Sequence, residues 1–184
     1  KTGVSTFFID DKIDTGEIIL KEAVIIKERE TVGSLHDVLM NTGAHLVIKT
    51  VGLIERSEES PKKQTISDVL KNAPKLTKEN TKIDWNRPVE EIDSFIRGLN
   101  PYPAAWCTMI NNKEESTVKI YNCNYVIEKH TFKNGTIISS KKELKVSASN
   151  GYLTIHEMQL AGKRKMDIKS LLNGFTFDEN SKMM

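Results

Sequence analysis

Ile83-Asp84-Trp85-Asn86-Arg87-Pro88 and Asn100-Pro101-Tyr102-Pro103-Ala104-Ala105-Trp106 bound the part of the sequence that decides the fold, and they contain both tryptophans of the chain. Pro88 suits the first turn of a helix, because the N–H that proline lacks is not needed there. Pro101 cannot continue a helix. The spacing between the two prolines therefore predicts a helix of roughly three turns.

The predicted helix is amphipathic. Glu90 and Glu91 lie near its positive end and Arg97 near its negative end, which suits the helix dipole. Apolar residues recur at intervals of three and four, which places them on one face. These residues are Val89, Ile92, Phe95, Ile96 and Leu99. We expect this face to pack against the elements that follow.

Short β-rich segments follow the helix, with Asn-Asn and Asn-Gly turn signals between them. The predicted strands are Ala104–Ile110, Thr117–Ile127, Thr136–Ser139, Leu144–Ala148 and Tyr152–Met158. The segment Asp167–Asn173, followed by Gly174, predicts a closing helix. Five short strands with these turns are typical of a small OB-like barrel, the oligonucleotide/oligosaccharide-binding fold.

The N-terminal part has a different pattern. Val4–Ile9 and Glu17–Ile26 predict two strands, and Thr31 is a plausible N-cap for a long helix. Strand, loop, strand and helix form the end of an α/β unit, with too few strands for a sheet covered on both faces. Because the chain begins at Lys1 immediately before a strand, we expect that it starts inside a domain.

The sequence thus predicts an α/β part over residues 1–58, a polar linker over 59–82 and a β part over 83–184. One short helical turn is expected in the linker, around Ile66–Leu70. The chain has no apolar run long enough to cross a membrane and no signal-peptide pattern at its start.

Charge is distributed unevenly although the net charge is only +2. Residues 1–58 carry a net −3, whereas residues 141–169 carry a net +4. The basic surplus is compatible with a polyanion such as nucleic acid. Lys163, Arg164 and Lys165 are the candidate phosphate contacts, with a merely solvated loop as the alternative.

Asp14-Thr15-Gly16, preceded by Asp10 and Asp11, places carboxylates in a loop at a strand end. Ligands often bind at strand ends in α/β folds, although a polar turn has the same composition. Aspartic proteases also contain Asp-Thr-Gly, but Glu17 stands where that family has a small residue, and the long helix fits its all-β fold poorly.

Cysteine and histidine positions predict no metal site. Cys107 and Cys123 lack metal-ligand spacing, and the four histidines do not pair with them or with one another. The cysteines are expected to be small buried residues of a reducing compartment, with a disulfide between them left open.

Taken in order, six segments resemble the C-terminal part of the methionyl-tRNA formyltransferase family. Asn100–Trp106 is the most specific of them, because related formyltransferases usually diverge there. The matching segments are Lys1–Leu20, Thr31–Asp37, Ile83–Pro88, Ile96–Trp106, Leu160–Met166 and Leu171–Gly174.

This resemblance implies a formyl group moved from 10-formyltetrahydrofolate to the methionine amino group of initiator methionyl-tRNA. It implies the end of a Rossmann-like formyltransferase domain followed by an OB-like, tRNA-binding domain. It also implies a cytoplasmic enzyme without a metal, whose full-length form is a monomer.

Catalysis in the family uses an Asn, a His and an Asp. Only the Asp matches a residue of this chain, Asp14, and no Asn-x-His stands in the sequence, so we expect the chain alone to be inactive. Asp10, Asp11 and Ile13 would border the pterin ring of the folate. Two alternatives stay open: a non-catalytic tRNA-binding module, and a related folate-dependent formyltransferase acting on a sugar nucleotide.

Overall fold

The computed structural model describes residues 1–65 and 72–184. The helical turn expected around Ile66–Leu70 lies outside the described residues. The chain divides into two compact units, unit 1 from Lys1 to Pro74 and unit 2 from Lys75 to Met184. Each unit is described by itself.

Unit 1 contains two strands and one long helix. Strands β1 (Thr2–Phe7) and β2 (Ile18–Val24) pair antiparallel, and helix α1 (Val32–Glu55) packs on them. Thr31 caps α1 as expected: its hydroxyl accepts from the Ser34 N–H, and the Ser34 hydroxyl accepts from the Thr31 N–H. The predicted strand, loop, strand and helix order is therefore confirmed.

Much of the apolar surface of unit 1 faces solvent. Within its described residues, Leu46 is the only large apolar side chain that is buried. Side chains on both the strand and the helix sides are exposed, namely Phe7, Phe8, Ile9, Ile13, Ile25, Ile26, Val32, Val38, Met40, Val47, Ile48, Val51 and Ile54. Most large apolar side chains among the described residues of unit 1 are therefore not buried within that unit.

The described residues of the segment 59–82, which the sequence predicts as a linker, contribute to both units. The backbone of Lys62 exchanges two hydrogen bonds of 2.9 Å with Ile18 in unit 1. In unit 2, a short 3-10 helix spans Glu79–Thr81, and Lys82 forms a parallel bridge with Trp106. Unit 2 therefore begins several residues before Ile83.

Helix α2 (Val89–Leu99) is the helix predicted between the two prolines. Pro88 precedes it as the N-cap residue rather than lying in its first turn. Because proline has no side-chain acceptor, Asn150 supplies the cap from 61 residues away: its Oδ1 accepts from the Val89 N–H at 2.9 Å. Its Nδ2 donates to the Glu90 carboxylate at 3.0 Å, and this bond lowers the pKa of Glu90.

Seven antiparallel strands form the sheet of unit 2. They run in the order β5-β6-β7-β4-β3-β9, with β8 paired to β7. Their bounds are β3 Ala105–Asn111, β4 Glu114–Ile127, β5 Ile137–Ser139, β6 Leu144–Ala148, β7 Gly151–Leu160, β8 Met166–Asp167 and β9 Lys182–Met183. The five predicted strands are present, whereas the two-residue strands β8 and β9 were not predicted.

The two edges of this sheet approach each other. Thr136, immediately before β5, forms a bridge with Lys182 in β9, and the Ile137 N–H donates to the Ser181 carbonyl at 3.1 Å. The result is a nearly closed antiparallel barrel. Its assignment as OB-like stays a prediction, as does the Rossmann-like assignment of unit 1.

The core of unit 2 contains one buried charge. Asp93 on α2 is 1% exposed, and its carboxylate accepts from Arg97 Nε at 2.9 Å. The Cys123 thiol on β4 donates to the same carboxylate at 3.5 Å. These hydrogen bonds offset part of the large free-energy cost of burying a carboxylate.

Both cysteines are free thiols in the core of unit 2, so the interpretation as small buried residues holds and the disulfide does not form. Burial raises the pKa of Cys107 to about 12, with the neighbouring Trp85 indole opposing that shift. The closing helix α3 (Ile168–Leu172) is capped by Asp167, whose side chain accepts from the Ser170 N–H.

The cap supplied by Asn150 gives a test of this fold. Asn150→Ala should lower the free energy of unfolding by about 1 kcal/mol, because the Val89 N–H loses its acceptor. Urea denaturation measures this change. Part of this difference in the free energy of unfolding should disappear as pH falls through the lowered pKa of Glu90, since protonation removes the carboxylate that Asn150 stabilises.

Asn124→Ala, at an exposed position of β4, is the matched control and should change the unfolding midpoint much less. Equal destabilisation by the two variants would show that Asn150 does not cap α2.

Candidate functional site

The four residues expected at the folate site lie together in the loop between β1 and β2. Asp10, Asp11, Ile13 and Asp14 are all exposed. The loop is closed at its base, where the Phe8 N–H donates to the Glu17 carbonyl at 3.1 Å. The structure therefore presents three carboxylates and one apolar side chain on a single short loop.

Asp14 has the most distinctive conformation in this loop. Its φ is 59°, in the left-handed region where aspartate, asparagine and histidine are the most frequent residues after glycine. The Gln64 side-chain amide holds it by donating to the Asp14 carbonyl at 2.9 Å and to the Gly16 carbonyl at 2.8 Å. Within the described residues, no group donates a hydrogen bond to the Asp14 carboxylate.

Gln64 is a residue that sequence reasoning missed. It lies in the segment predicted as linker, 50 residues from Asp14, and only the pairing of Lys62 with Ile18 brings it to the loop. Glycine is required at position 16, because a Cβ there would lie 1.5 Å from the Phe8 carbonyl oxygen. The backbone is thus fixed by contacts on both sides of Asp14.

The remaining loop residues differ in the contacts that their side chains make. The Asp10 carboxylate accepts from the Lys12 N–H at 3.0 Å and from the Thr15 hydroxyl at 2.8 Å, so it shapes the turn. Ile13 is 91% exposed. An apolar side chain this exposed adds nothing to the core of unit 1.

Lys163, Arg164 and Lys165 lie together and exposed in the turn between β7 and β8. Lys165 Nζ lies 3.2 Å from Glu157 Oε2 and 5.3 Å from the centre of the Tyr121 ring, so its charge is partly engaged. In the described part of the chain, Lys163 and Arg164 form no ion pair. Their side chains are therefore available to an external anion.

A second basic group, which the sequence pattern did not predict, surrounds Trp106 on β3. Lys78 Nζ lies 5.2 Å and Lys82 Nζ 5.6 Å from the ring centre, within the range of cation–π attraction. Lys119 is the direct β4 partner of Trp106. We call these four residues the lysine–tryptophan cluster. Their sequence spacing gives no signal, because the cluster depends on the bridge between Lys82 and Trp106.

Two further classes of site are absent from the described residues. Across residues 1–65 and 72–184, no three His, Cys, Asp or Glu side chains come together in a way that could hold a metal ion. In the same residues, no helix is long and apolar enough to span a membrane.

Residues 75–176 match the sequence model of the family described as formyl transferase, C-terminal domain. The chain is 46% identical over 183 residues to methionyl-tRNA formyltransferase of Flavobacterium johnsoniae, covering 100% of the chain and 58% of that protein. It is 38% identical over 188 residues to the Bacteroides fragilis enzyme of that name, again covering 100% and 58%. The chain thus spans less than two thirds of the length of these relatives.

Solved structures share the fold at low sequence identity. HypX from Aquifex aeolicus in complex with tetrahydrofolic acid has a TM-score of 0.65 at 17% identity, with 96% of this chain and 31% of that chain covered. The N-formyltransferase from Helicobacter canadensis, in complex with folinic acid and dTDP-3-aminofucose, has a TM-score of 0.60 at 21% identity, with 89% and 55% covered.

The family match covers more than half of the 184 residues, and the named relatives match along the whole chain. The resemblance inferred from the tryptophan-bounded segment is therefore confirmed: the chain belongs to the formyltransferase family, contains its C-terminal domain, and corresponds to the C-terminal part of proteins named methionyl-tRNA formyltransferase.

Proposed function

We propose that this chain is part of an enzyme that transfers a formyl group from 10-formyltetrahydrofolate to the methionine amino group of initiator methionyl-tRNA. The observation that carries the proposal is the identity of 46% along the full chain to a protein named for that reaction. The enzyme would act in translation initiation, in the cytoplasm and as a monomer.

Asp14 is the catalytic residue of the proposal. An amine that attacks a formyl carbon must lose a proton, and the tetrahedral intermediate must be stabilised as an oxyanion. The Asp14 carboxylate, unpartnered within the described residues, can orient a histidine and a water and help to move that proton. The Asn and His that complete the family's site are not found as Asn-x-His in these 184 residues.

The folate would lie against the same loop. Ile13 offers an apolar contact to the pterin ring, while Asp10 and Asp11 border its polar edge together with backbone groups. Two structural relatives support this class of substrate, since one is in complex with tetrahydrofolic acid and the other with folinic acid. No metal enters the proposed reaction.

Unit 2 would bind the tRNA. The proposal assigns it an OB-like fold, whose barrels commonly bind oligonucleotides. Lys163 and Arg164 offer two cations that are unpaired within the described residues, and Lys165 adds a third that is shared with Glu157. Contacts of this kind position a nucleic acid through its phosphates and read no sequence.

An amino-sugar nucleotide is the second candidate acceptor. The Helicobacter canadensis relative is in complex with dTDP-3-aminofucose, and it shares the fold at 21% identity. The higher identity to proteins named for methionyl-tRNA favours the tRNA substrate.

The catalytic assignment is tested in a chimaera. In it, the residues of the Flavobacterium johnsoniae relative that precede its match to this chain are fused to the N-terminus of this chain. Asp14→Asn should lower kcat for methionyl-tRNA formylation by about 10²–10⁴, because a positioned acid–base group is removed. The KM for 10-formyltetrahydrofolate should change much less. Asp37→Asn, on the exposed face of α1, is the matched control and should retain activity.

The same assay tests the other parts of the proposal. The 184-residue chain without the added residues should form no formyl-methionyl-tRNA, and dTDP-amino sugars should be poor acceptors for the chimaera. Formylation by the chain alone, or full activity of Asp14→Asn, would contradict the assignment.

The tRNA assignment predicts a strongly salt-dependent interaction. Replacing Lys163, Arg164 and Lys165 together by Glu should weaken tRNA binding at least tenfold, since phosphate contacts are replaced by like charges. The slope of log affinity against log salt should become shallower by about 0.7–0.9 for each phosphate that is no longer neutralised. Filter binding at several salt concentrations measures both quantities.

A triple Glu variant at exposed positions Lys21, Lys27 and Arg29 of unit 1 is the charge-matched control. Equal effects from the two triple variants would show that the turn between β7 and β8 is only a solvated loop.

A further inference from the structure

A pocket of about 330 Å³ opens beside Trp106 in unit 2. Most of the surface that lines it is apolar, and two lysines stand among the lining residues. Those residues are Leu76, Thr77, Lys78, Thr81, Pro103, Ala104, Trp106, Thr117 and Lys119. The volume lies at the small end of the range for ligand pockets, roughly 300–1,000 Å³.

The pocket is basic without a compensating acid. In the part of the chain that the structure describes, Lys78 and Lys119 line it and no Asp or Glu does. Lys82 also lies near the Trp106 ring, but it lines a neighbouring cavity and not this pocket. That neighbouring cavity, of about 300 Å³, is different, because the carboxyl-bearing residues Glu79 and Asp84 are among those that line it. Of the two, the pocket at Trp106 is the one suited to an anion.

Contacts within the lysine–tryptophan cluster hold it in place. The Trp106 indole N–H donates to the Lys78 carbonyl at 2.7 Å, which fixes the ring against the segment that carries Lys78 and Lys82. On the other side, Lys119 Nζ donates to the Pro103 carbonyl at 3.2 Å. The positions of the aromatic ring and of the Lys119 ammonium are thus set before any ligand arrives, which lowers the entropic cost of binding.

An aromatic ring, an apolar wall and two ammonium groups match the parts of a nucleotide. Bases stack on aromatic side chains or lie against apolar ones, and phosphates pair with lysine. The Thr117 hydroxyl, which has no partner within the described residues, offers a hydrogen bond to a base edge or a ribose hydroxyl. A duplex could not enter a pocket of this size, so an RNA ligand would have to place a single unstacked nucleotide in it.

We propose that this pocket binds one unstacked nucleotide of RNA, with its base against the apolar wall beside Trp106 and its phosphate between Lys78 and Lys119. The proposal rests on the proposed function in one respect, that RNA is the partner of unit 2. It adds a site distinct from the turn at Lys163–Lys165, and the two sites have different roles. The turn contacts backbone phosphates, and the pocket captures a base.

Nitrogen-15 NMR of the 184-residue chain tests the proposal, because the only two indole N–H groups belong to Trp85 and Trp106. Trp106→Phe assigns the two signals. Titration with 5′-AMP should shift the Trp106 signal and leave that of Trp85, which is buried in the core, unchanged. Ribose 5-phosphate lacks the base and should bind at least tenfold more weakly.

Variants separate this site from general charge attraction. Lys78→Ala and Lys119→Ala should each weaken 5′-AMP binding about tenfold, because each removes a charge-assisted hydrogen bond to the phosphate. Lys141→Ala and Lys142→Ala remove the same charge from exposed positions and should change nothing. Amide spectra of every variant report whether the fold is retained.

Three results would overturn the proposal: an unchanged Trp106 signal at about 10 mM 5′-AMP, equal binding of ribose 5-phosphate, or equal weakening by the Lys141 and Lys142 variants. Because no tRNA is present, this experiment is independent of the proposed function. If methionyl-tRNA fails to bind but 5′-AMP still shifts the Trp106 signal, the tRNA assignment is wrong and the nucleotide pocket stands.

Discussion

The packing of the apolar face of α2 on β4 is the interaction on which the rest of unit 2 depends. Val89, Ile92, Ile96 and Leu99 are each 5% exposed or less, so this face is removed from water almost completely. Burial of that kind stabilises by roughly 1.5–3 kcal/mol for each large side chain, as an upper estimate. It also brings the Asp93 carboxylate to the Cys123 thiol and fixes the chain that leaves the helix at Leu99. The turn after α2 and the start of the strand that carries Trp106 follow from that placement, while the pocket beside Trp106 also requires the bridge between Lys82 and Trp106.

The two units differ in how far they satisfy their own apolar pattern. Unit 2 buries a continuous core from helix and strands, whereas the described residues of unit 1 bury one large apolar side chain, Leu46. The residue proposed for catalysis lies in the unit with the smaller core, and it is held by polar contacts from Gln64 rather than by packing. In the proposed enzyme the chemistry and the RNA contacts therefore belong to different units of the same chain.

Local patterns predicted most of the elements. The Thr31 cap, the helix between the two prolines and five strands were all visible in residue spacing, because periodicity and turn residues act over a few positions. Strands β8 and β9 are two residues long and form only through distant pairing, so they left no periodic signal. The same reason explains why Asn150, Gln64 and the lysine–tryptophan cluster were missed, since each depends on contacts between segments far apart in sequence. The catalytic role of Asp14 stays a prediction from the resemblance, because the composition of its loop alone does not separate a site from a polar turn.

Hydrogen exchange of the 184-residue chain tests most directly the claim that unit 2 folds around the packing of α2 on β4, while unit 1 has little core of its own. Amide protection reports the free energy needed to open each segment. We expect the amides of β4 and β7 to exchange most slowly, and those of β1 and β2 to exchange faster by orders of magnitude. Equal protection of β1 and β4 would contradict this claim, because it would require a stability in unit 1 that its exposed apolar surface does not provide.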